Sequence, residues 1–387
     1  MMIEGGSMKS KTKQRIFLFD NLKFLLILLV VIGHFVDIGV SKSNIYKSIF
    51  ISIYAFHMPL FLFIAGMFHK DENIKEKILS FISIGMILKI LLCFITILIK
   101  EHSGFSLLGD SEAPWYMFAT AAFIGITYLL RDYNKLYIII FWFILGCFVG
   151  YDPNVGDYLY LSRITVLYPF YLLGNYINKE DIKKLTELRW IKICGILCIV
   201  AWIFICFNQL DNIYHIRYLL TAKNSFYAYN PKYLKYMYLV RLFCYGLAIT
   251  LSISIISIIP KKEIKFITSF GSRTLQVYFW HLPILIILSS TPIYNYLIET
   301  PIGKLAWILI GIIITCILSI KVIGITTDKV MNFFKETKKI KTVKTTKETK
   351  TKTKKTTTKK EKETKPKKKE TTTKKTKEPK SKTKNKK

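Results

Sequence analysis

The chain has 387 residues, 51% of them hydrophobic, and its mean hydropathy is +0.32. This composition excludes an ordinary soluble enzyme, although the net charge is +32. Much of that charge lies in residues 335–387, where 25 lysines accompany only six glutamates and contribute +19. Because that segment has almost no apolar residues, it cannot form a core and is expected to be disordered. The sequence therefore predicts a membrane domain followed by a basic cytoplasmic tail.

Ten mostly apolar runs are long enough, or nearly so, to be transmembrane helices. They cover residues 17–37, 45–67, 78–99, 115–130, 136–150, 160–177, 190–208, 236–259, 266–290 and 304–325. The fourth to sixth are short or interrupted, so nine and eleven spans are alternatives. We expect an all-α polytopic membrane protein with about ten transmembrane helices. It would consist of a cytoplasmic segment (1–14), a membrane domain (15–331) and the disordered Lys/Thr-rich tail (332–387).

The distribution of loop charge predicts that both termini are cytoplasmic. Loops assigned to the cytoplasmic side hold 16 lysines and arginines, whereas the opposite loops are nearly twice as long in total and hold eight. The basic tail would then meet anionic lipid headgroups, which is a simpler expectation than a nucleic-acid partner. The seven cysteines all lie in apolar runs and are interpreted as small hydrophobic residues. No Cys/His spacing is typical of a metal site, so no metal is expected.

Ionisable residues inside a span are costly and point to function. The first span contains Asp20, Lys23 and His34, which share one helical face. Lys23 and His34 are about 16 Å apart along the axis, so Lys23 would lie near the cytoplasmic headgroups and His34 well inside the membrane. In the alternative interpretation, Lys23 snorkels and pairs with Asp20, while His34 only hydrogen-bonds a neighbouring helix.

The second span adds His57, which is expected at a depth similar to that of His34 because the connecting loop is short. Two imidazoles at one depth on adjacent helices would suit a site that handles protons, since histidine titrates near neutral pH. The simpler alternative is a single histidine that hydrogen-bonds between helices.

Further residues of interest lie later in the chain. They are Trp115, Arg163, Arg273 and His281, together with His69, His102 and His215 in loops. Arg163 and Arg273 lie near span ends, where arginine often serves only as an anchor, and the three loop histidines are interpreted as surface residues. Seven tyrosines in the loop 209–238 suit sugar faces but also fit an interfacial aromatic belt.

Five motifs resemble, in order, those of the membrane acyltransferase-3 family, nearest to its fucose 4-O-acetylase-like O-acetyltransferases. Lys23 and His34 in "FDNLKFLLILLVVIGHF" resemble the family's (Arg/Lys)-x10-His motif. The others are "FHMPLFLFIAGMF", in which Ala65-Gly66 replaces a usual Ser-Gly, "PWYMF", "YPFYLLGNY" and "YFWHLPIL". The resemblance covers roughly residues 15–325 and excludes the tail.

This resemblance implies an integral-membrane enzyme of the cell membrane that transfers an acyl group, commonly acetyl, to a hydroxyl of a cell-surface or lipid-linked glycan. By this resemblance, His34 would be the general base. Position in the chain alone suggests His57 as a second catalytic residue, and His57 or Trp115 as hydrogen-bond donors to the oxyanion. Asp20, Trp115, Arg163 and His281 would support them. No bound cofactor is implied, and acetyl-CoA or another acyl-CoA would be the co-substrate.

The chain departs from the family in the loop after the second span. Many members have an Arg-x-x-Arg pair there that is thought to help hold the donor, whereas this loop reads "HKDENIKEKILSF". Its lysines can bind phosphate only as point charges. We expect Lys23, Lys70, Lys75 and Lys77 to contact the donor.

Two other classes of protein fit part of the pattern. A proton-coupled transporter or flippase would also place histidine and lysine within its spans. A scaffold protein would depend on the basic tail and would tolerate the loss of His34.

Overall fold

The computed structural model describes residues 16–100, 105–109, 113–229 and 231–333, and these residues form helices and turns without a strand. The helices are α1 (Phe17–Asp37), α2 (Asn44–Tyr54), α3 (His57–Met67), α4 (Ile74–Lys100), α5 (Trp115–Leu129), α6 (Lys135–Phe148), α7 (Leu161–Tyr176), α8 (Lys179–Leu185), α9 (Arg189–Asn208), α10 (Leu210–Ile213), α11 (Arg217–Leu220), α12 (Met237–Ile258), α13 (Lys265–Gly271), α14 (Thr274–Ser289), α15 (Pro292–Glu299) and α16 (Pro301–Leu318). Residues 1–14, which are predicted to be cytoplasmic, most of the predicted tail (332–387) and His102 lie outside the described residues.

The helices are those of a multi-pass membrane protein. Six helical segments of the described chain are long and apolar enough to cross a membrane. Helices α14 and α15 form a pair bent by 83°, which is a seventh such segment if the pair is one span. Three further predicted spans coincide with the shorter helices α5, α6 and α7. The ten predicted segments are therefore helical, while a count of ten crossings stays a prediction. The outward faces carry large exposed apolar side chains, such as Leu98, Phe204 and Phe243, as lipid contact requires.

Two predicted spans are broken. The run 45–67 consists of α2 and α3, separated at Ala55 and Phe56, and the run 266–290 consists of α13 and α14, separated at Ser272 and Arg273. In the first case Pro59 lies in the first turn of α3, where its missing N–H costs least. The break makes His57 the first residue of α3. Arg273 donates to the Ser319 carbonyl at the end of α16, so it caps a helix and does not act as a lipid anchor.

Helix α1 lies at the centre of the bundle and contacts α2, α3, α13, α14 and α16. Its inner residues Leu22, Leu26 and Val31 are fully buried. Near its start, Asn21 donates to the carbonyls of Pro260 and Lys262, which attaches α1 to the loop before α13. Among the described helices, α3 and α7 share the most extensive contact. A Cβ at Gly66 would overlap the Tyr171 carbonyl, and a Cβ at Gly174 would overlap the Phe63 carbonyl, so each glycine permits the contact.

All seven cysteines are free thiols, and each lies within a helix, as their apolar surroundings predict. We call the two ends of the bundle the Asp20 end, where α1 begins, and the Asp37 end, where α1 finishes.

Candidate active site

A cavity of about 390 Å³ opens at the Asp37 end of the bundle. Its walls come from the second half of α1, the break between α2 and α3, the starts of α5 and α7, the segment 214–224 and α14. His34, His57, Trp115 and Arg163 all line it. Four residues from four separate segments of the sequence therefore share one space.

His34 faces this cavity and also contacts His281 of α14, with ring centroids 5.2 Å apart. Among the described residues, no side chain or carbonyl hydrogen-bonds the His34 ring. The interpretation of His34 as a residue that only hydrogen-bonds a neighbouring helix is therefore not supported by a bond in the described chain.

His281 is completely buried, and its hydrogen bonding defines its tautomer. Its Nδ1 lies 3.1 Å from the Val277 carbonyl, which can only accept, so Nδ1 carries the proton in the neutral ring. Its Nε2 then carries a lone pair, and this buried atom has no hydrogen-bond partner within the described chain. A buried acceptor of this kind beside His34 can receive an N–H from it.

His57 is held in the same way. Its Nδ1 donates to the Ile53 carbonyl at 2.9 Å, one turn back across the helix break, and its ring packs edge-on against Tyr54. The neutral His57 ring therefore presents a lone pair at Nε2 and not an N–H. Such a ring can accept a proton or a hydroxyl hydrogen, but it cannot donate to an oxyanion.

Arg163 is buried at the start of α7, with 4% of its surface exposed, and does not act as an anchor at the membrane surface. Its guanidinium lies over the Trp115 ring at 4.8 Å and pairs with Asp157 at 3.6 Å. Asp157 also pairs with Lys223, at 3.4 Å. The cavity wall thus contains a charge network that runs from α7 to the segment after α11.

The turn that leads into Arg163 is strained. Leu159 and Tyr160 both adopt the left-handed region, with φ of 48° and 58°, which non-glycine residues rarely occupy. Lys89, buried in α4, donates to the Tyr160 hydroxyl at 2.9 Å and to the Leu107 carbonyl at 3.0 Å. This buried lysine therefore helps to hold the turn that positions Arg163.

Asp20 and Lys23 do not reach this cavity. They form an ion pair of 2.8 Å at the other end of the bundle, and fourteen residues separate Asp20 from His34, about 21 Å along α1. Asp20 lines a second cavity of about 770 Å³ with Phe68. Three lysines line it as well, namely Lys179, Lys183 and Lys261.

The loop after α3 lies at the same end. Lys77 donates to the Lys70 carbonyl at 2.6 Å, and neither residue nor Lys75 lines the second cavity as the described residues form it.

His69 is not an exposed loop residue, because only 3% of its side chain is accessible. Its Nδ1 lies 2.7 Å from the Tyr171 hydroxyl and its Nε2 3.1 Å from Asp71. Burial lowers the pKa of His69, and Asp71 opposes that shift. His215, by contrast, is exposed, as expected.

The two cavities, one at each end of α1, and the histidines of the first suit a transfer reaction. In a comparison with known families, the acyltransferase domain of acyltransferase-3 type matches residues 17–323. The chain belongs to this acyltransferase-3 family. The match covers α1 to α16 and includes every residue described above, and it confirms the enzyme class, an acyltransferase of groups other than aminoacyl groups.

Two curated relatives of this acyltransferase-3 chain are nodulation proteins NolL. The protein from Mesorhizobium japonicum is 28% identical over 226 residues, which are 51% of this chain and 59% of the relative. The protein from Sinorhizobium fredii is 28% identical over 229 residues, 54% of this chain and 61% of the relative. The chain thus spans about three fifths of the length of these relatives. No solved structure matches the chain.

Two residues that line this acyltransferase-3 site carry no signal in the sequence alone, namely Asp37 and Arg217. Asp37 directly follows the apolar run, and Arg217 lies in a long polar loop, so neither stands out. Among the described residues, no cluster of three or more His, Cys, Asp or Glu side chains is arranged to hold a metal ion.

Proposed function

We propose that the protein is an O-acyltransferase of the cell membrane that transfers an acetyl or other acyl group to a glycan hydroxyl. In this reaction His34 would be the general base. The observation that supports this most is the convergence of His34, His57 and Arg163 on one cavity, with His281 behind His34. The family match favours this function over the transporter and scaffold alternatives.

The reaction follows from the arrangement of these residues. The unprotonated nitrogen of His34 takes the proton of the acceptor hydroxyl as that oxygen attacks the thioester carbonyl. The other His34 nitrogen carries a proton. The Nε2 of the adjacent His281, which has no partner in the described chain, is the acceptor available to hold the ring in this tautomer once a hydrogen bond forms between them. Collapse of the tetrahedral intermediate forms the ester and breaks the C–S bond, and the proton on His34 passes to the leaving thiolate. The reaction needs no further reactant.

The oxyanion of the intermediate requires hydrogen-bond donors. Trp115 and Arg163 line the cavity side by side and both carry N–H groups. We assign this role to them and not to His57, because the Nδ1–H of His57 already bonds the Ile53 carbonyl. His57 instead serves as a second acceptor for the substrate hydroxyl.

The donor is assigned to the Asp20 end, which loop charge predicts to be cytoplasmic, where acyl-CoA is made. The second cavity offers Lys179, Lys183 and Lys261 to the donor phosphates. Lys23 lies beside this cavity, and its ammonium group is 5.4 Å from the Phe68 ring centre. Lys70, Lys75 and Lys77 would form an outer ring of positive charge on the same side. The acceptor glycan would then enter from the Asp37 end.

The test compares the surface glycan of cells that contain the parent protein, His34→Gln or no protein. Proton NMR of the purified polysaccharide should show O-acyl signals with the parent only, while immunoblots should show equal amounts of both proteins in the membrane. An unchanged O-acyl content in cells without the protein would contradict the proposed function.

A further inference from the structure

The mouth of the His34 cavity contains an arginine that the proposed reaction does not use. Arg217 is the first residue of α11 and lines the cavity with Asp37 and Lys223. Its guanidinium lies 4.4 Å from the Tyr214 ring centre and 4.7 Å from that of Tyr218. One of its nitrogens donates to the Tyr218 hydroxyl at 2.8 Å. The two tyrosines therefore hold the guanidinium in one orientation.

No carboxylate in the described part of the chain forms an ion pair with Arg217. The other cations of the cavity differ in this respect, because Asp157 pairs with both Arg163 and Lys223. Asp37 is close enough for its charge to interact with Arg217 and Lys223, but it makes no salt bridge with either. Lys47, whose ammonium group lies 5.4 Å from the Tyr214 ring centre, adds positive charge to the same mouth. The mouth thus has more positive than negative groups.

A guanidinium held in one orientation binds the paired oxygens of a carboxylate or phosphate particularly well, because it has five N–H donors and the tyrosine hydroxyls use only part of them. The adjacent tyrosine rings suit the faces of a sugar. Arg217 and His34 line the same cavity, and Asp37, which also lines it, follows His34 by three residues, about 4.5 Å along α1.

We infer that Arg217, flanked by Tyr214 and Tyr218, forms an anion subsite that selects an acceptor with a carboxylate or phosphate on, or next to, the sugar that is acylated. This inference rests on the proposed function, because it concerns the acceptor of the same cavity. The carboxylate would come from an acidic sugar, and the phosphate from the carrier of a lipid-linked sugar.

The test measures binding of three small probes to the whole protein in lipid nanodiscs by saturation-transfer difference NMR. Methyl β-D-glucuronide carries a carboxylate, α-D-glucose 1-phosphate carries a phosphate, and methyl β-D-glucoside is neutral. For the parent protein, at least one anionic probe should bind about ten-fold more tightly than the glucoside. Preference for the glucuronide alone indicates an acidic sugar, and preference for the phosphate alone indicates a phosphate-linked sugar.

Three variants make the assignment specific. Arg217→Gln should abolish the preference for the anionic probe, and Arg217→Lys should retain part of it, because a point charge lacks the paired geometry. Lys232→Gln removes an exposed cation from the same loop outside the cavity and should leave the preference unchanged. Equal binding of all three probes to the parent, or a preference that survives in Arg217→Gln, would overturn the inference.

His34→Gln separates this inference from the proposed function. It should abolish acyl transfer but keep the anion preference, because binding at Arg217 does not need the base. If the surface glycan shows no dependence on the protein while the Arg217-dependent preference persists, the proposed function fails and the anion subsite stands.

Discussion

His34 and His281 lie with their ring centroids 5.2 Å apart, and His281 is held by Val277 with its Nε2 lone pair buried and without a partner in the described chain. The pair resembles in outline a base and its orienting acceptor, with a neutral imidazole in the position that a carboxylate often takes. A neutral acceptor suits this depth, since a second buried charge would be expensive in the membrane.

His34→Gln is expected to lower kcat for acyl transfer by roughly 10²–10⁴-fold, the usual contribution of a general base. Glutamine preserves hydrogen bonding and approximate size but cannot accept a proton at neutral pH. The measurement is acyl transfer in membranes that contain equal amounts of parent and variant protein. His215→Gln, at an exposed loop position, is the control and should be fully active. Activity of His34→Gln within ten-fold of the parent would show that His34 is a packing residue.

His281→Phe should lower kcat roughly 10-fold to 100-fold with little change in the KM of the donor, because it preserves bulk but removes the acceptor that holds the His34 tautomer. His281→Gln restores an acceptor oxygen on a similar side chain and should recover part of the loss. Steady-state kinetics of the three proteins provide the comparison. If the phenylalanine and glutamine variants are equally impaired, His281 contributes shape alone.

The positions of the helices could be predicted from the sequence because each apolar run is long and bounded by charged or polar loops. The break beside His57 could not, since the apolar run continues through Ala55 and Phe56. The break beside Arg273 was missed although the polar residues Ser272, Arg273 and Thr274 interrupt the run there. The residues of the His34 cavity could be predicted in part, because His34, His57 and Arg163 are ionisable residues in or beside apolar runs. Arg217 could not be predicted, because an arginine in a polar loop is ordinary until folding places it at the cavity. The lysines of the loop after α3 show the opposite case. The sequence pointed to them as donor contacts, whereas the lysines that line the second cavity come from α8 and from the loop before α13.

Gly66→Ala and Gly174→Ala should each destabilise the protein by about 1–3 kcal/mol or more, the usual cost of overpacking. Each new Cβ would overlap a backbone carbonyl across the α3–α7 contact, so the helices must move apart. Gly246→Ala is the matched control, because a Cβ at that position meets no atom within 4 Å and alanine favours a helix. Thermal unfolding followed by tryptophan fluorescence measures the effect. Equal melting temperatures for the Gly66 and Gly246 variants would contradict the close contact.

The buried His69 should make the protein less stable in acid. Burial lowers its pKa in the folded state, so the unfolded chain binds a proton first as the pH falls below about 6.5, and the free energy of unfolding decreases there. Above that pH the ring is neutral in both states and contributes no pH dependence. His69→Gln should therefore lose part of the decline in melting temperature between pH 7 and pH 5. His215→Gln should keep the full decline, and identical pH profiles for all three proteins would contradict the assignment.

The lysines of the second cavity should control the affinity for the donor. Each contact with a donor phosphate at this partly screened surface is worth ~1 kcal/mol, so Lys179→Gln and Lys261→Gln should each raise the KM of acetyl-CoA roughly five-fold with kcat nearly unchanged. Lys75→Gln tests the outer ring and should have a smaller effect, because Lys75 does not line the cavity. The measurement is initial rate against acetyl-CoA concentration in inverted membrane vesicles, repeated at higher salt, where all three differences should shrink. A donor KM that responds to Lys75→Gln but not to Lys179→Gln or Lys261→Gln would move the donor from the cavity to the loop after α3.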